Sequence, residues 1–494
     1  MSDNGLYQTE LIEGDPDFLT EEVYALPLSF AQQRLWFLDQ LQPGVTAYNI
    51  PGALRLRGTL NFTALERSLN EIIARHETLR TVFSVVDGQP VQWIRTSLTI
   101  PIVSAAVVAQ TAEEQEAELR RLAREEAARP FDLEAGPLLR VRLLRLNERE
   151  HVLLLTMHHI VSDGWSMGVL VRELCALYEA FLQGKESPLA PLTVQYADYA
   201  QWQREHLTGE VLEQQLQYWR EQLAGAPPLL ELPADRPRPA VQSFRGARES
   251  VWLGAELTRE LQELSRAQGV TLFMTLLAGF AVLLWRCTGR QDIVVGTDVA
   301  NRTRKETEGL IGFFINQLVL RVDLSGNPTV SQLLRRVREI TLGAYDRREV
   351  PFDKIVETVR PARSLQYSPL FQIKLCLQNM RPEKVDLRGL SLSLLKNEST
   401  SSQLDFTLNL VEHDQELKGI AEYNTDIFNS GTIQRLLQRF KFVLSCVARN
   451  KELRLDELTR VIDDGEKQQR IEAERALEAA SAQSLRMARR KTVR

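Results

Sequence analysis

The sequence is poor in the features that classify a protein at a glance. Four cysteines are spread over 494 residues, Cys175, Cys287, Cys376 and Cys446. They stand too far apart for metal-ligand spacing and are too few for a disulfide scaffold, so they read as reduced, mostly buried thiols of a cytosolic, cytoplasmic protein. There is no basic start followed by an apolar run. The first residues instead carry Glu10, Glu13, Asp15 and Asp17, so no secretory signal is expected. The longest near-apolar stretch, residues 271–285, stops at Arg286. It is shorter than the ~20 residues of a membrane span and reads as a buried helix, so no membrane is expected. Charge of one sign is also lacking. The net charge is −5 with a pI near 5.9, which leaves no electrostatic footprint for nucleic acid. No short-period repeat is found. With 44% apolar and 25% charged residues the chain is ordinary globular protein, of a length that suits about two large domains or three smaller ones.

The chain is organised as two α/β halves. Residues 1–22 read as a loose leader, and patterned sequence follows. Residues 29–40, SFAQQRLWFLDQ, have apolar residues at helical spacing. Residues 61–79 repeat this through Leu65, Leu69, Ile72, Ile73 and Leu79, with a strand-like TVFSVV after them. An Ala-rich charged helix is expected over 112–128, then two strands, LLRVRLLRL and EHVLLLTMHH. A helix from about Trp165 follows, with the stripe Leu170, Leu174, Leu177 and Phe181. The clearest boundary is Pro227, Pro228, Pro233, Pro237 and Pro239, five prolines within thirteen residues, which can be neither helix nor central strand. Beyond it strands and helices alternate again. The expected division is a first lobe over 23–225, a Pro-rich linker over 226–245, a second lobe over 246–462 and a charged helical tail over 463–494. That tail ends in Arg486, Arg489, Arg490, Lys491 and Arg494 and is either a solvated helix or a docking element.

Two of only six histidines are adjacent, His158 and His159, in MHHIVSDGWS. On a strand, neighbouring side chains point to opposite faces, so one ring is structural and the other is able to face a cavity. The same geometry argues against a metal, because adjacent strand residues do not converge on one ion. Asp163 is placed to orient a base, to pair with an arginine or to cap the following helix. Gly164 lets backbone approach a ligand, and amides at a helix start stabilise negative charge. Residues 164–168 also spell G-x-S-x-G. A nucleophile elbow needs its serine directly between strand and helix, and here a loop follows the histidines.

HHIVSDG resembles the HHxxxDG motif of nonribosomal peptide synthetase condensation domains. It is accompanied, in the family's order, by SFAQQRLWFLDQL, RHETLRTVF, YADYAQW, IGFFINQLVLR, VPFDKIVE and SPLFQ, over residues 25–460. The resemblance implies an α/β pseudo-dimer of two chloramphenicol-acetyltransferase-like lobes in a V with an inter-lobe tunnel. Donor and acceptor peptidyl carrier domains would bring thioesters on phosphopantetheine arms, with no cofactor or metal bound to the chain itself. His159 would project into the tunnel and Gly164 would supply a catalytic amide. His158 would be structural, and Asp163 would pair with an arginine of RHETLR, Arg80 rather than Arg75. Asn316, Trp165 and Ser166 would line the passage, and Trp202 would support packing. Gln317, Arg348-Glu349 and Tyr367 depart from the family's commoner Thr, His/Asn-Gln and Arg, while Arg363 and Pro369 keep its pattern; the departures bear on fine specificity.

The implied reaction joins an acceptor amine to a donor acyl thioester. An α-amine with a reference pKa near ~8 is partly neutral at cellular pH, so orientation matters more than activation. His159 would accept the excess proton or orient the amine. No adenylate-forming loop and no carrier serine is found, so the chain is expected neither to activate nor to carry amino acids, whether it is one segment of a longer assembly line or acts in trans. Ester formation, epimerisation, and a non-catalytic platform that recruits carriers, adenylation domains or tailoring enzymes through the tail are the rival readings.

Overall fold

A computed structural model describes residues 24–362, 364–378, 386–387, 389–395, 401–468 and 471. The leader, Arg363 and most of the charged tail lie outside the described residues. In chain order the elements begin with β1 (Tyr24–Pro27), α1 (Phe30–Leu41), β2 (Asn49–Gly58), α2 (Phe62–Arg75), β3 (Thr81–Val86), β4 (Gln89–Ile94), β5 (Val103–Ala106) and α3 (Ala112–Ala127). They continue with β6 (Leu139–Asn147), β7 (Glu150–His158), α4 (Gly164–Leu182), α5 (Tyr196–His206), α6 (Gly209–Gln222), β8 (Gly246–Trp252), α7 (Ala255–Gln268) and α8 (Leu272–Thr288). The last are β9 (Asp292–Val299), β10 (Asn316–Asp323), α9 (Val330–Tyr345), α10 (Phe352–Val359), β11 (Ile373–Gln378), β12 (Asp386–Leu387), β13 (Leu390–Leu394), β14 (Phe406–His413), β15 (Glu416–Asn424) and α11 (Ser430–Arg449). The strands and helices named from the sequence between residues 29 and 424 fall on these, while the helical tail expected over 463–494 lies mostly outside the described residues.

The chain forms two units that are not two halves. One is Met1–Thr208 together with Arg302–Phe314 and Glu383–Asn397; the other is Gly209–Asn301, Ile315–Pro382 and Glu398–Arg494. Neither of the two returning segments left a signal in the composition.

In the first unit a six-stranded sheet runs β12-β13-β2-β7-β6-β5, beside a three-stranded sheet β1-β4-β3. The strand β13 comes from the returning segment and pairs antiparallel with β2. Helices α2 and α4 cover one face of the larger sheet. Leu65, Leu69 and Ile72 of the first and Leu170, Leu174 and Leu177 of the second pack on Leu143, Leu153, Leu155 and Met157. On the other face α3 packs Leu119 and Leu122 on Leu144, Val152 and Leu154. Burial on both faces explains why β7 reads as an unbroken apolar run rather than an alternation.

In the second unit the sheet runs β10-β9-β11-β14-β15-β8. Helix α8 is its centre, with every residue from Phe273 to Leu284 buried. It starts at a capping box in which the Thr271 hydroxyl accepts from the Met274 N–H. Among the described residues no single helix is long and apolar enough to cross a membrane. The pair α7 and α8 reaches that length only together, bent by 106°. The Pro-rich segment is extended. Gln372, in the SPLFQ motif, holds it by accepting from the Leu230 N–H at 3.0 Å and donating to Pro228 O at 3.1 Å.

Candidate active site

The strand β7 ends at His158, and His159 opens a single 3-10 turn (His159–Val161) that leads through Ser162 and Asp163 into α4. His159 therefore sits past the strand rather than on it. The division of labour between the two rings follows burial. His158 is 2% exposed, its Nδ1 accepts from the Ile160 N–H at 3.2 Å, and it lies beside Tyr48 and Phe131. Burial, helped by neighbouring His159, pushes its pKa down to about 3, so it is a neutral structural ring. His159 is half-buried, edge-on to Phe313 at 4.8 Å between centroids. Its Nδ1 lies 2.9 Å from Ser162 O. A carbonyl only accepts, so Nδ1 carries the hydrogen and the Nε2 lone pair is the basic site.

Asp163 is 1% exposed and caps α4. One oxygen accepts from the Ser166 N–H at 2.8 Å and the Ser166 hydroxyl at 2.7 Å, and the other accepts from the Phe314 N–H at 3.1 Å. Its ion pair is with Arg302, at 3.3 Å, both side chains 2% exposed. This corrects the sequence expectation of Arg80. Arg80 instead donates to Arg95 O and pairs with Glu77, while Arg75 pairs with Glu173 at 2.9 Å. The reason is topological: the returning segment 302–314 brings its own arginine into the first unit, and RHETLR holds that segment from behind. His76 accepts there from the Ile311 N–H at 3.3 Å and bonds Glu173 at 2.9 Å.

Ser166 also needs correcting. Expected to line a passage, it is fully buried, its hydroxyl shared among Asp163, Gly312 and Arg302. Such a serine is neither lining nor a nucleophile. Trp165 is half-buried, its indole N–H donating to Glu308 O at 2.9 Å. Gly164 is exposed, nothing lies within 4 Å of the Cβ it lacks, and its N–H, the first of α4, has no acceptor among the described residues. In the second unit, Asn316 donates to Arg348 O and Val350 O at 2.8 and 2.7 Å and accepts from the Phe352 N–H at 3.2 Å. These bonds clamp the loop before α10 and use up its amide, where sequence expected it to face the site.

The motifs converge on segment 302–314. Tyr196 of YADYAQW, fully buried, donates to Phe313 O at 2.7 Å and meets the Ser29 hydroxyl, of the SFAQQRL motif, at 2.8 Å. Its ring fills the space where a Cβ on Gly312 would stand, 2.0 Å from Cδ2. Trp202 stacks on His206 and takes the Arg304 guanidinium 4.2 Å from its ring centroid. Sequence reasoning missed Arg302, His76, Glu173 and Gly312. Of these only Glu173 left a trace: it interrupts the buried stripe between Leu170 and Leu174, where a charge needs a partner. Among the described residues no group of three or more His, Cys, Asp or Glu is arranged to hold a metal ion.

Two sheet-containing α/β units, with HHxxxDG at the mouth of a helix, define a protein of the condensation type. A family model described as Condensation domain matches residues 22–470, and the chain belongs to that family. A linear gramicidin synthase from Brevibacillus parabrevis is 52% identical over 425 residues, 85% of this chain and 8% of that protein. The chain thus spans under a tenth of this relative's length. The X-domain in a complex with OxyB from teicoplanin biosynthesis is similar in structure, with a TM-score of 0.79 and 32% identity. That match covers 89% of this chain and 97% of that one. The first condensation domain of the CDA synthetase shares the fold, with a TM-score of 0.71 and 21% identity, over 88% and 98% of the two chains.

Proposed function

We propose that this chain forms amide bonds in cytoplasmic nonribosomal peptide synthesis, joining a carrier-bound donor acyl thioester to the amine of a carrier-bound acceptor. The observation that carries the reading is the state of His159: a half-open ring whose Nδ1–H is held by Ser162 O, leaving Nε2 basic. The acceptor nitrogen attacks the thioester carbon, the C–N bond forms and the C–S bond breaks. The excess proton passes from nitrogen to Nε2 and then to the departing sulfur, giving an amide and a thiol. The Gly164 N–H, which has no acceptor among the described residues, is the donor available for the negative charge that develops on the carbonyl oxygen. Asp163 and Arg302 act through the backbone, holding the turn that carries His159. The substrates arrive on phosphopantetheine arms of donor and acceptor carrier domains.

The test loads both carriers and follows their intact masses. Dipeptide on the acceptor with the wild type, lost with His159→Ala, supports the reading; equal transfer by both rejects it. The likeness to an X-domain in complex with OxyB favours a second reading, a platform that binds carriers and a tailoring enzyme without transfer. Carrier binding with no dipeptide in the wild type would select it.

A further inference from the structure

Residues 311–314 belong to the first unit, as His159 does, and form neither helix nor strand. Their backbone is nevertheless fixed at every step. The Ile311 N–H donates to His76 Nδ1 at 3.3 Å, the Gly312 N–H to Ser166 Oγ at 3.0 Å and the Phe314 N–H to Asp163 Oδ2 at 3.1 Å. Phe313 O accepts from the Tyr196 hydroxyl at 2.7 Å. Each of the four anchoring residues is 1% exposed or less. They come from three helices: His76 caps the end of α2, Asp163 and Ser166 start α4, and Tyr196 opens α5. A loop that only had to pass could leave its backbone to water. Here four buried side chains are committed to four consecutive residues, which sets the place of whatever this stretch carries.

What it carries to His159 is the Phe313 ring. That ring is 9% exposed and meets the imidazole edge-on, with centroids 4.8 Å apart and planes at 63°. This is a preferred arrangement of two aromatic rings. The bond from Nδ1 to Ser162 O fixes the tautomer and one corner of the imidazole. Phe313 bears on the ring itself and limits the tilt that would carry Nε2 with it. The tolerance is small, because a displacement of about 1 Å at a reacting group costs up to a hundredfold in rate.

We infer that Phe313 is a positioning residue for His159: the clamped loop sets the phenyl ring, and the phenyl ring sets Nε2. This rests on the acyl-transfer reading, and ring order is measured apart from turnover so that the two fail separately. Phe313→Leu keeps an apolar side chain and removes the flat edge. With both carriers loaded, kcat for dipeptide formation falls about tenfold in this variant while the KM for the acceptor carrier is unchanged. Phe313→Tyr, which keeps an aromatic edge, recovers most of the rate. The 13Cε1–H signal of His159, assigned by its loss in His159→Ala, gives the order parameter of the ring. It is about 0.85 in the wild type, as for a rigid group, and falls below about 0.6 in Phe313→Leu. Should Phe313→Leu melt early, Phe313→Met serves in its place with the same expected results. A ring as ordered in the folded variant as in the wild type overturns the inference, and so does a wild-type kcat in a variant whose ring is loose. Ring order lost on substitution, in a protein that forms no dipeptide, leaves the hold of Phe313 on His159 standing and removes the transferase.

Discussion

At the scale of single residues, two adjacent imidazoles differ because one is dry and the other is not. His159→Ala is expected to lower dipeptide formation by about 10²–10⁴-fold, the range of a lost general base, with no change in melting temperature; intact-carrier mass measurement and a thermal melt check both halves. His158 predicts the reverse pattern. Its folded pKa of about 3 lies below the ordinary value of 6.5, so under acid conditions the unfolded chain takes up a proton that the folded one refuses. The stability tied to neutral His158 is complete above about pH 6.5 and is lost as pH falls towards 3. Between pH 7 and 5 this amounts to about 2 kcal/mol. His158→Asn keeps an acceptor for the Ile160 N–H and removes the titration. Urea unfolding at pH 7 and pH 5 should show the variant losing about 2 kcal/mol less than the wild type over that interval.

At the scale of elements, the segment 302–314 does the work that sequence assigned to RHETLR. Removing the Asp163 carboxylate strands the buried Arg302 guanidinium, so Asp163→Ala should cost about 3–5 kcal/mol in denaturant unfolding. Arg80→Ala, whose partners are Arg95 O and Glu77, should cost roughly 1 kcal/mol. Equal losses in the two variants would contradict the pairing seen here. Gly312→Ala tests the same segment by volume. The new methyl meets the Tyr196 ring, whose hydroxyl is tied at Ser29 and Phe313, so the ring has little freedom to yield. A loss of about 1–3 kcal/mol is expected, read as a lowered denaturation midpoint.

At the scale of the whole molecule, the first unit is closed by chain that arrives late. Residues 1–208 alone lack β13, the edge partner of β2, and lack Arg302, the counter-ion of Asp163. Expressed by themselves they should show no cooperative thermal transition under conditions where the full chain shows one. A sharp transition in the fragment would mean that the returning segments are ornamental.

The strands, the helices and the HHxxxDG loop were legible in the sequence because their causes are local. A period of two or 3.6, a proline cluster and an N-cap are written within a dozen residues. So was the contrast between His158 and His159, though the alternation argument put both on a strand that ends one residue earlier. The partner of Asp163 was not legible. Arg302 lies 139 residues away in a loop without periodicity, and nothing near it marks the charge it meets. Ser166 and Asn316 were misplaced for the same reason: their polar groups are used by distant backbone, at Gly312 in one case and at Arg348, Val350 and Phe352 in the other. Local pattern determined which elements form and which loop carries the chemistry. Which charges neutralise one another inside was decided only by the tertiary structure, since burial makes an unpaired charge costly and the chain must bring a partner from wherever its topology passes.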